Sequence, residues 1–179
     1  MLSTKRSPIL IKNTAHGFTL IELLLYVAIS SIILLAISAF LSTLLESRVK
    51  NQTIAEVEQQ GAQVMQTVTQ AVRNADLINS PAAGASAATL SINTYVGGNN
   101  PTLVDLSSGV IRMTEGVGSP VALTNSRITA SALTFQNLSR ASTPGIIRVS
   151  FILTQINSSG RNEYNFSKTF NASASLRQP

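Results

Sequence analysis

The stretch from residue 18 to residue 45 restricts most strongly how this chain can fold, because it is almost continuously apolar. Leu, Ile, Val, Ala and Phe dominate it, and only small hydroxyl side chains and one acidic residue interrupt it. About 20 apolar residues in a helix are enough to cross a bilayer. The sequence therefore predicts a transmembrane helix over residues 18–45.

Basic residues lie on both sides of this stretch. Lys5, Arg6 and Lys12 precede it, and Arg48 and Lys50 follow it. Because cytoplasmic flanks of membrane helices carry the excess of Lys and Arg, this count favours a cytoplasmic N-terminus.

Glu22 is the acidic residue inside the apolar stretch. A carboxylate in hydrocarbon costs roughly 2.5–3.5 kcal/mol even on the milder insertion scales. If the backbone were cleaved between Gly17 and Phe18, the new amino group of Phe18 would lie about one helical turn away, roughly 6 Å. A buried charge pair of this kind, formed within one chain or with a neighbouring copy, fixes register more than it adds stability. The sequence therefore predicts that Glu22 pairs with an α-amino group.

Residues 46–79 continue the helical pattern but become amphipathic. One face carries apolar or small residues at spacings of three and four, as expected for a core seam packed on a sheet: Ile54, Val57, Gly61, Val64, Met65, Val68, Val72, Ala75 and Ile78. Asn79, Ser80, Pro81 and Gly84 then provide helix-stop signals, so the helix is expected to end near Asn79.

Residues 80–179 predict a β-rich head. Residues 80–88 are interpreted as a connecting loop. Segments rich in Thr, Val, Ile and Phe follow, separated by Gly, Pro, Asn and Ser, and each predicts a strand: 88–95, 109–115, 120–125, 127–138, 145–156 and 163–176. The expected fold class is α+β, with a long N-terminal helix whose amphipathic half packs on one small antiparallel sheet.

Several kinds of chemistry are excluded by composition. The chain has no Cys, and its single His is His16, outside the head. Disulfides, thiolate ligands and a His general base in the head are therefore excluded. Asp105, Glu115 and Glu163 are too separated in sequence to predict a calcium site. We expect no enzyme activity, no metal and no cofactor.

The segment KNTAHGFTLIELLLYVAIS, residues 12–30, resembles the cleavage and methylation motif of type IV prepilins and the related pseudopilins. The matching positions are Gly17, Phe18, Thr19, Leu20, Ile21, Glu22 and Leu23. The resemblance implies a leader peptide of residues 1–17, cleaved by prepilin peptidase between Gly17 and Phe18, and N-methylation of Phe18. It also implies that Glu22 forms the assembly charge pair with the N-terminal amine of a neighbouring subunit.

The same resemblance implies partners and location. The partners are other pilin subunits, contacted through helix–helix packing, prepilin peptidase, and an assembly platform with its ATPase. The precursor would be a single-pass protein of the cytoplasmic (inner) membrane with its N-terminus inside and its head periplasmic or extracellular, and it would become part of a filament after assembly.

Two departures from many major pilins suggest a minor pilin or pseudopilin. No proline lies between Pro8 and Pro81, and a C-terminal disulfide cannot form. A major subunit stays open at this stage. The sequence also leaves open which machine the chain belongs to: a type IV pilus, a type II secretion system or a DNA-uptake system.

Three alternatives remain beside this interpretation. A secretory signal could be cleaved after Ala36-Ile37-Ser38, so that the mature chain would begin at Ala39. A simple membrane anchor could hold the β domain. Neither explains the order Gly-Phe-Thr-Leu-Ile-Glu at residues 17–22.

The third alternative is a membrane-anchored binding or adhesion module that does not polymerise. It would bind DNA, a surface or a partner protein through basic residues of the head, for which solvated strand positions are the favoured interpretation: Arg112, Arg127, Arg140, Arg148, Arg161, Lys168 and Arg177.

Overall fold

A computed structural model describes residues 17–95 and 97–177. Within them, one helix and nine strands follow in this order: α1 (Leu20–Arg73), β1 (Ala75–Ser80), β2 (Ser86–Ala87), β3 (Leu90–Thr94), β4 (Thr102–Ser107), β5 (Val110–Glu115), β6 (Val121–Ala122), β7 (Ile128–Asn137), β8 (Ile146–Gln155) and β9 (Ser167–Ser175). The predicted α+β class is confirmed. Of the predicted leader, residues 1–16 lie outside the described residues. The chain divides into two compact units, Met1–Leu44 and Leu45–Pro179.

The first unit contains the apolar part of α1. From residue 17 to residue 44 every side chain is exposed except that of Glu22, which is partly buried. In the part of the chain that the structure describes, α1 is the one helix long and apolar enough to cross a membrane, judged by length and composition. This agrees with the predicted transmembrane segment.

Three hydroxyl groups of this segment are bonded within the helix. Ser31 Oγ donates to the carbonyl oxygens of Val27 and Ala28, both at 2.9 Å. The hydroxyls of Ser42 and Thr43 donate to the carbonyl oxygen of Ala39 at 2.8 and 3.1 Å. Because hydrocarbon offers no partner to a polar group, this bonding makes these hydroxyls compatible with lipid.

In the second unit, the C-terminal part of α1 supplies one side of the hydrophobic core. Its buried residues are Thr53, Val57, Gly61, Val64, Val68 and Val72. The predicted stripe is confirmed from Val57 to Val72, whereas at its start Thr53 is buried and the predicted Ile54 is only partly buried. Strand residues complete the core, the largest fully buried ones being Leu90, Ile92, Ile111, Ile128, Phe135, Ile147, Phe151 and Leu153. Helix formation here is set by burial of this stripe rather than by helix propensity, since isolated helices are marginal in water.

Two antiparallel sheets form the head, where the sequence predicted one. The first has the strand order β1-β3-β4-β5-β6 and the second has the order β2-β7-β8-β9. β7 and β8 alternate between buried and exposed residues along most of their length, so each turns one face to the core. Alternation identifies the buried face of a strand but not its pairing partner, which explains why the division into two sheets could not be predicted.

The helix ends at Arg73, and the predicted end near Asn79 is wrong. β1 begins at Ala75 and pairs with β3, with irregularities between Ala75 and Leu77 and between Ile78 and Ser80. An extra residue at a bulge breaks the period of two. Ala75 and Ile78 therefore turn inward at a spacing of three, which in the sequence resembles a helix. The carbonyl of Arg73 accepts a hydrogen bond from the backbone of Arg177 at 3.1 Å.

Besides β1, which was predicted as helix, two further strands were missing from the sequence prediction. β2 lies inside the predicted loop 80–88, where its two residues pair with β7. β4 was not predicted, and it forms a hairpin with β5 in which Ser107 pairs with Val110. The two turn residues, Ser108 and Gly109, have φ of 51° and 77°. Such positive values at both positions suit the twist of a two-residue hairpin.

An ion pair links the helix to β9, and we expect it to contribute little stability. Lys168 Nζ lies 2.6 Å from Glu58 Oε1, and the side chains are 42% and 49% exposed. Exposed pairs are worth about 0.2–1 kcal/mol and are screened by salt. A double-mutant cycle with Glu58→Ala and Lys168→Ala should give a coupling energy below about 1 kcal/mol that declines between low and high salt. A coupling independent of salt would contradict this assignment.

Candidate functional site

The predicted cleavage position lies just before the helix. Gly17, Phe18 and Thr19 are exposed and are not part of a helix or strand, and α1 begins at Leu20. A Cβ at Gly17 would meet no atom within 4 Å. The backbone between Gly17 and Phe18 is therefore not enclosed by the described part of the chain.

Thr19 caps the first turn of α1. The backbone N–H of Glu22 approaches both the carbonyl oxygen of Thr19, at 3.1 Å, and its side-chain Oγ1, at 3.3 Å. A hydroxyl before the first turn satisfies a backbone donor that has no partner within the helix. Thr-x-x-Glu is also the spacing of a capping box, of which the threonine half is formed here. In the first turn, the charge of Glu22 is favoured by the helix dipole.

The carboxylate of Glu22 is held by an aromatic residue one turn further along. Tyr26 Oη donates a hydrogen bond to Glu22 Oε1 at 3.1 Å. The ring of Tyr26 also meets that of Phe18 edge to face, with centroids 6.1 Å apart and planes at 75°. Phe18, Glu22 and Tyr26 form a cluster that we call the Glu22 clamp.

The structure thus brings two of the predicted site residues, Thr19 and Glu22, into contact. It links a third, Phe18, to Glu22 through Tyr26, which the sequence interpretation missed. Tyr26 lies four residues after Glu22, and residues at this spacing are neighbours on a helix surface. That spacing was the available signal. It was overlooked because a tyrosine in an apolar stretch fits a lipid-facing position equally well.

The aliphatic motif residues face outward, and they are about as exposed as Phe18. Leu20, Ile21 and Leu23 are 79%, 74% and 58% exposed. Exposed apolar side chains continue along the helix to Leu45. A contiguous apolar surface of this extent marks a region that lipid or another protein covers.

Most of the basic residues considered for DNA binding are paired with acids of the chain itself. Arg112 binds Asp105 through two hydrogen bonds, at 3.0 and 2.7 Å, and the hydrogen bond to this carboxylate raises the pKa of Arg112. Arg127 pairs with Glu56, and Lys168 with Glu58.

Arg161 pairs with Glu163. The pKa of Glu163 is lowered by a hydrogen bond from its own backbone and, secondarily, by Arg161. Four of the seven basic residues are therefore in ion pairs. This pairing reduces the charge available to phosphates, on which non-specific DNA binding depends.

Residues 12–38 match a family model described as the prokaryotic N-terminal methylation motif. This motif is the type IV prepilin-type signature, and the predicted resemblance is confirmed. The match supports a type IV pilin-like protein and, with the apolar helix, fits a membrane-anchored precursor. Comparisons with curated proteins and with solved structures give no match.

All the positions predicted for processing and assembly, from Gly17 to Leu23, lie within the matched residues. The match identifies the motif and not the role of each residue in it. Cleavage after Gly17, methylation of Phe18 and charge pairing by Glu22 stay predictions.

Proposed function

We propose that this chain is a structural subunit, in a minor role, of a type IV pilus or pseudopilus. Prepilin peptidase removes residues 1–17, the amino group of Phe18 is methylated, and the mature chain enters a filament through its N-terminal helix. The observation that carries the proposal is the match of residues 12–38 to the N-terminal methylation motif.

The apolar part of α1 suits the two environments that this function requires. Lipid surrounds the helix before assembly, and helices of other subunits surround it afterwards. Both environments are dry, and a helix satisfies its own backbone in each. The hydroxyls of Ser31, Ser42 and Thr43 are likewise bonded within the helix, so these three groups keep their partners during the transfer.

Glu22 determines how neighbouring subunits align during assembly. Its carboxylate takes the amine of Phe18 from a neighbouring subunit, and this pair sets the axial stagger between helices. Before cleavage the backbone nitrogen of Phe18 is an amide and carries no charge. Removal of the leader therefore creates the cation that Glu22 requires.

The precursor lies in the cytoplasmic membrane with its N-terminus inside and its head on the outer side. The head is a structural part rather than an enzyme, which agrees with the lack of Cys and of any His beyond His16. An assembly platform and its ATPase provide the energy. The absence of a proline in the apolar segment supports a minor role.

N-terminal mass spectrometry of the mature protein, purified from membranes and filaments, tests the processing step. We expect the chain to begin at N-methylated Phe18. A Gly17→Leu variant should retain residues 1–17, because it replaces the glycine that the proposed processing motif places before the scissile bond with a bulky side chain. A mature chain that begins at Ala39, or filaments built from chains that keep residues 1–17, would contradict the proposal.

A further inference from the structure

We propose that Tyr26 is a positioning residue for Glu22. Its hydroxyl binds one carboxylate oxygen and leaves the other directed to the amine of an incoming subunit. This inference rests on the proposed function, in which Glu22 is the assembly charge pair, and it assigns to Tyr26 the task of orienting that carboxylate beforehand.

The first supporting observation is the environment of Glu22 in its own chain. Tyr26 Oη lies 3.1 Å from Glu22 Oε1. From residue 17 to residue 44, Glu22 is the one residue that is partly buried, and the others are exposed. Phe18 and Tyr26 lie four residues before and after it, and their rings meet at 6.1 Å. Phe18 and Tyr26 are themselves 74% and 51% exposed, so the Glu22 clamp covers the glutamate only in part.

The second observation is that the clamp leaves binding capacity unused. A carboxylate has two oxygens and about four acceptor positions. Tyr26 occupies Oε1, and no residue in the described ranges 17–95 and 97–177 donates to Oε2. The hydroxyl of Tyr26 and an ammonium group can therefore bind the same carboxylate together.

Orientation matters here because a glutamate side chain is flexible. Fixing its rotamers costs conformational entropy, and a carboxylate near the bilayer surface would otherwise turn towards water. A hydrogen bond to a charged group is among the stronger ones in proteins, especially where water is scarce. In the precursor, the hydrogen bond from Tyr26 already holds the Glu22 carboxylate in place. The entropy cost of ordering it is therefore met before the amine of the next subunit arrives.

Single substitutions in the full chain separate the hydroxyl from the ring. Tyr26→Phe keeps the ring and removes the donor, and it should reduce incorporation into filaments about tenfold, as expected for the loss of a hydrogen bond to a charged group. Tyr26→Gln keeps a donor without the ring and should reduce incorporation less. Ser31→Ala is the matched control, because it removes a hydroxyl that bonds only to Val27 and Ala28.

A double substitution distinguishes positioning from packing. If Tyr26 acts through the Glu22 carboxylate, Tyr26→Phe should cause no further loss in a chain that already carries Glu22→Gln. An equal loss in both backgrounds would overturn the inference in favour of simple packing. Wild-type incorporation by Tyr26→Phe, alongside a defect in Glu22→Gln, would overturn the inference and leave the proposed function intact. If Glu22→Gln itself assembled normally, both would fail.

A measurement on the unprocessed chain tests the geometry without assembly. Solid-state NMR of the full precursor in phospholipid bilayers, with ¹³C-labelled Tyr and Glu, should give a contact between Tyr26 Cζ and Glu22 Cδ. The contact should disappear in Glu22→Gln, which identifies it. Absence of this contact in the wild-type precursor would overturn the inference whatever the filament assay reports.

Discussion

Replacing Glu22 with Ala is expected to reduce incorporation of the chain into filaments by at least about a hundredfold. Removing one partner of a buried ion pair costs about 3–5 kcal/mol, and each 1.4 kcal/mol is a factor of ten. In the assembled state the variant would leave the Phe18 ammonium of a neighbour without its carboxylate, in surroundings that hold no water to replace it. The ratio of filament-bound to membrane-bound chain, measured by quantitative immunoblotting, checks this expectation.

The head should be unaffected by this change. Glu22 belongs to the first compact unit, and its side chain bonds only to Tyr26 in the described structure. The thermal unfolding of the head should therefore match that of the wild type. Glu46→Ala is the control, because Glu46 is an exposed acidic residue just beyond the apolar stretch, and it should assemble normally.

If Glu22→Ala behaved like the wild type and neither chain entered filaments, the competing interpretation, a membrane-anchored binding module that does not polymerise, would be favoured. Under that interpretation the carboxylate has no partner to lose. A DNA-binding version of this interpretation is less well supported, because four basic residues of the head are already in ion pairs: Arg112, Arg127, Arg161 and Lys168. An adhesive role through another surface of the head would then be the hypothesis to pursue.

Local sequence patterns correctly predicted the elements that are determined by residues close together in the sequence. The order of residues 17–23 identified the motif, because one acidic residue in an apolar stretch is costly and rarely occurs without a function. The stripe from Val57 to Val72 was predicted because burial on one helix face imposes a period close to 3.6. Strands β3, β5, β6, β7, β8 and β9 fall within the predicted segments for the same kind of reason, since they carry β-forming residues bounded by turn residues.

The errors arose where distant pairing decided the outcome. Residues 75–80 have helical spacing but form β1, because a strand here pairs with the edge of β3, whose backbone groups a longer helix would leave unpaired. β4 becomes a strand through its hairpin with β5. Tyr26 illustrates a third kind of limit. Its spacing from Glu22 was visible in the sequence. Whether the side chain faces lipid or bonds to Glu22 depends on its conformation, which the spacing does not determine.

Gly61 provides the second large expected effect, and it concerns the stability of the head. This residue is buried in α1, and a Cβ at its position would overlap the ring of Phe170. That ring is partly buried and stacks on the fully buried Phe151, with centroids 5.4 Å apart, so a shift that makes room for a larger residue would disturb this stacking. Gly61→Leu should lower the free energy of unfolding by about 3 kcal/mol, at the upper end of the cost of overpacking.

Gly61→Ala gives the sharper test, because two effects oppose each other. In an exposed helix position Ala is about 1 kcal/mol more favourable than Gly. At position 61 the clash should reverse this order, with a net loss of about 1–2 kcal/mol. Gln59, exposed on the same helix, is the matched control, where Gln59→Ala should be more stable than Gln59→Gly. Thermal and denaturant unfolding of the full chain in detergent, followed by circular dichroism, measures all four variants.

Compensation at Phe170 would establish the cause of the loss. Shortening Phe170 to Leu should cost stability in the wild type but should recover part of the loss in Gly61→Ala, because the smaller side chain leaves room for the new methyl group. Residues in contact give such non-additive effects, whereas distant residues do not. The opposite result would be a Gly61→Ala chain that is more stable than the wild type, by about the difference between Gln59→Ala and Gln59→Gly. That result would show that the helix and β9 do not approach closely at Gly61. The absence of a side chain at position 61 would need another explanation.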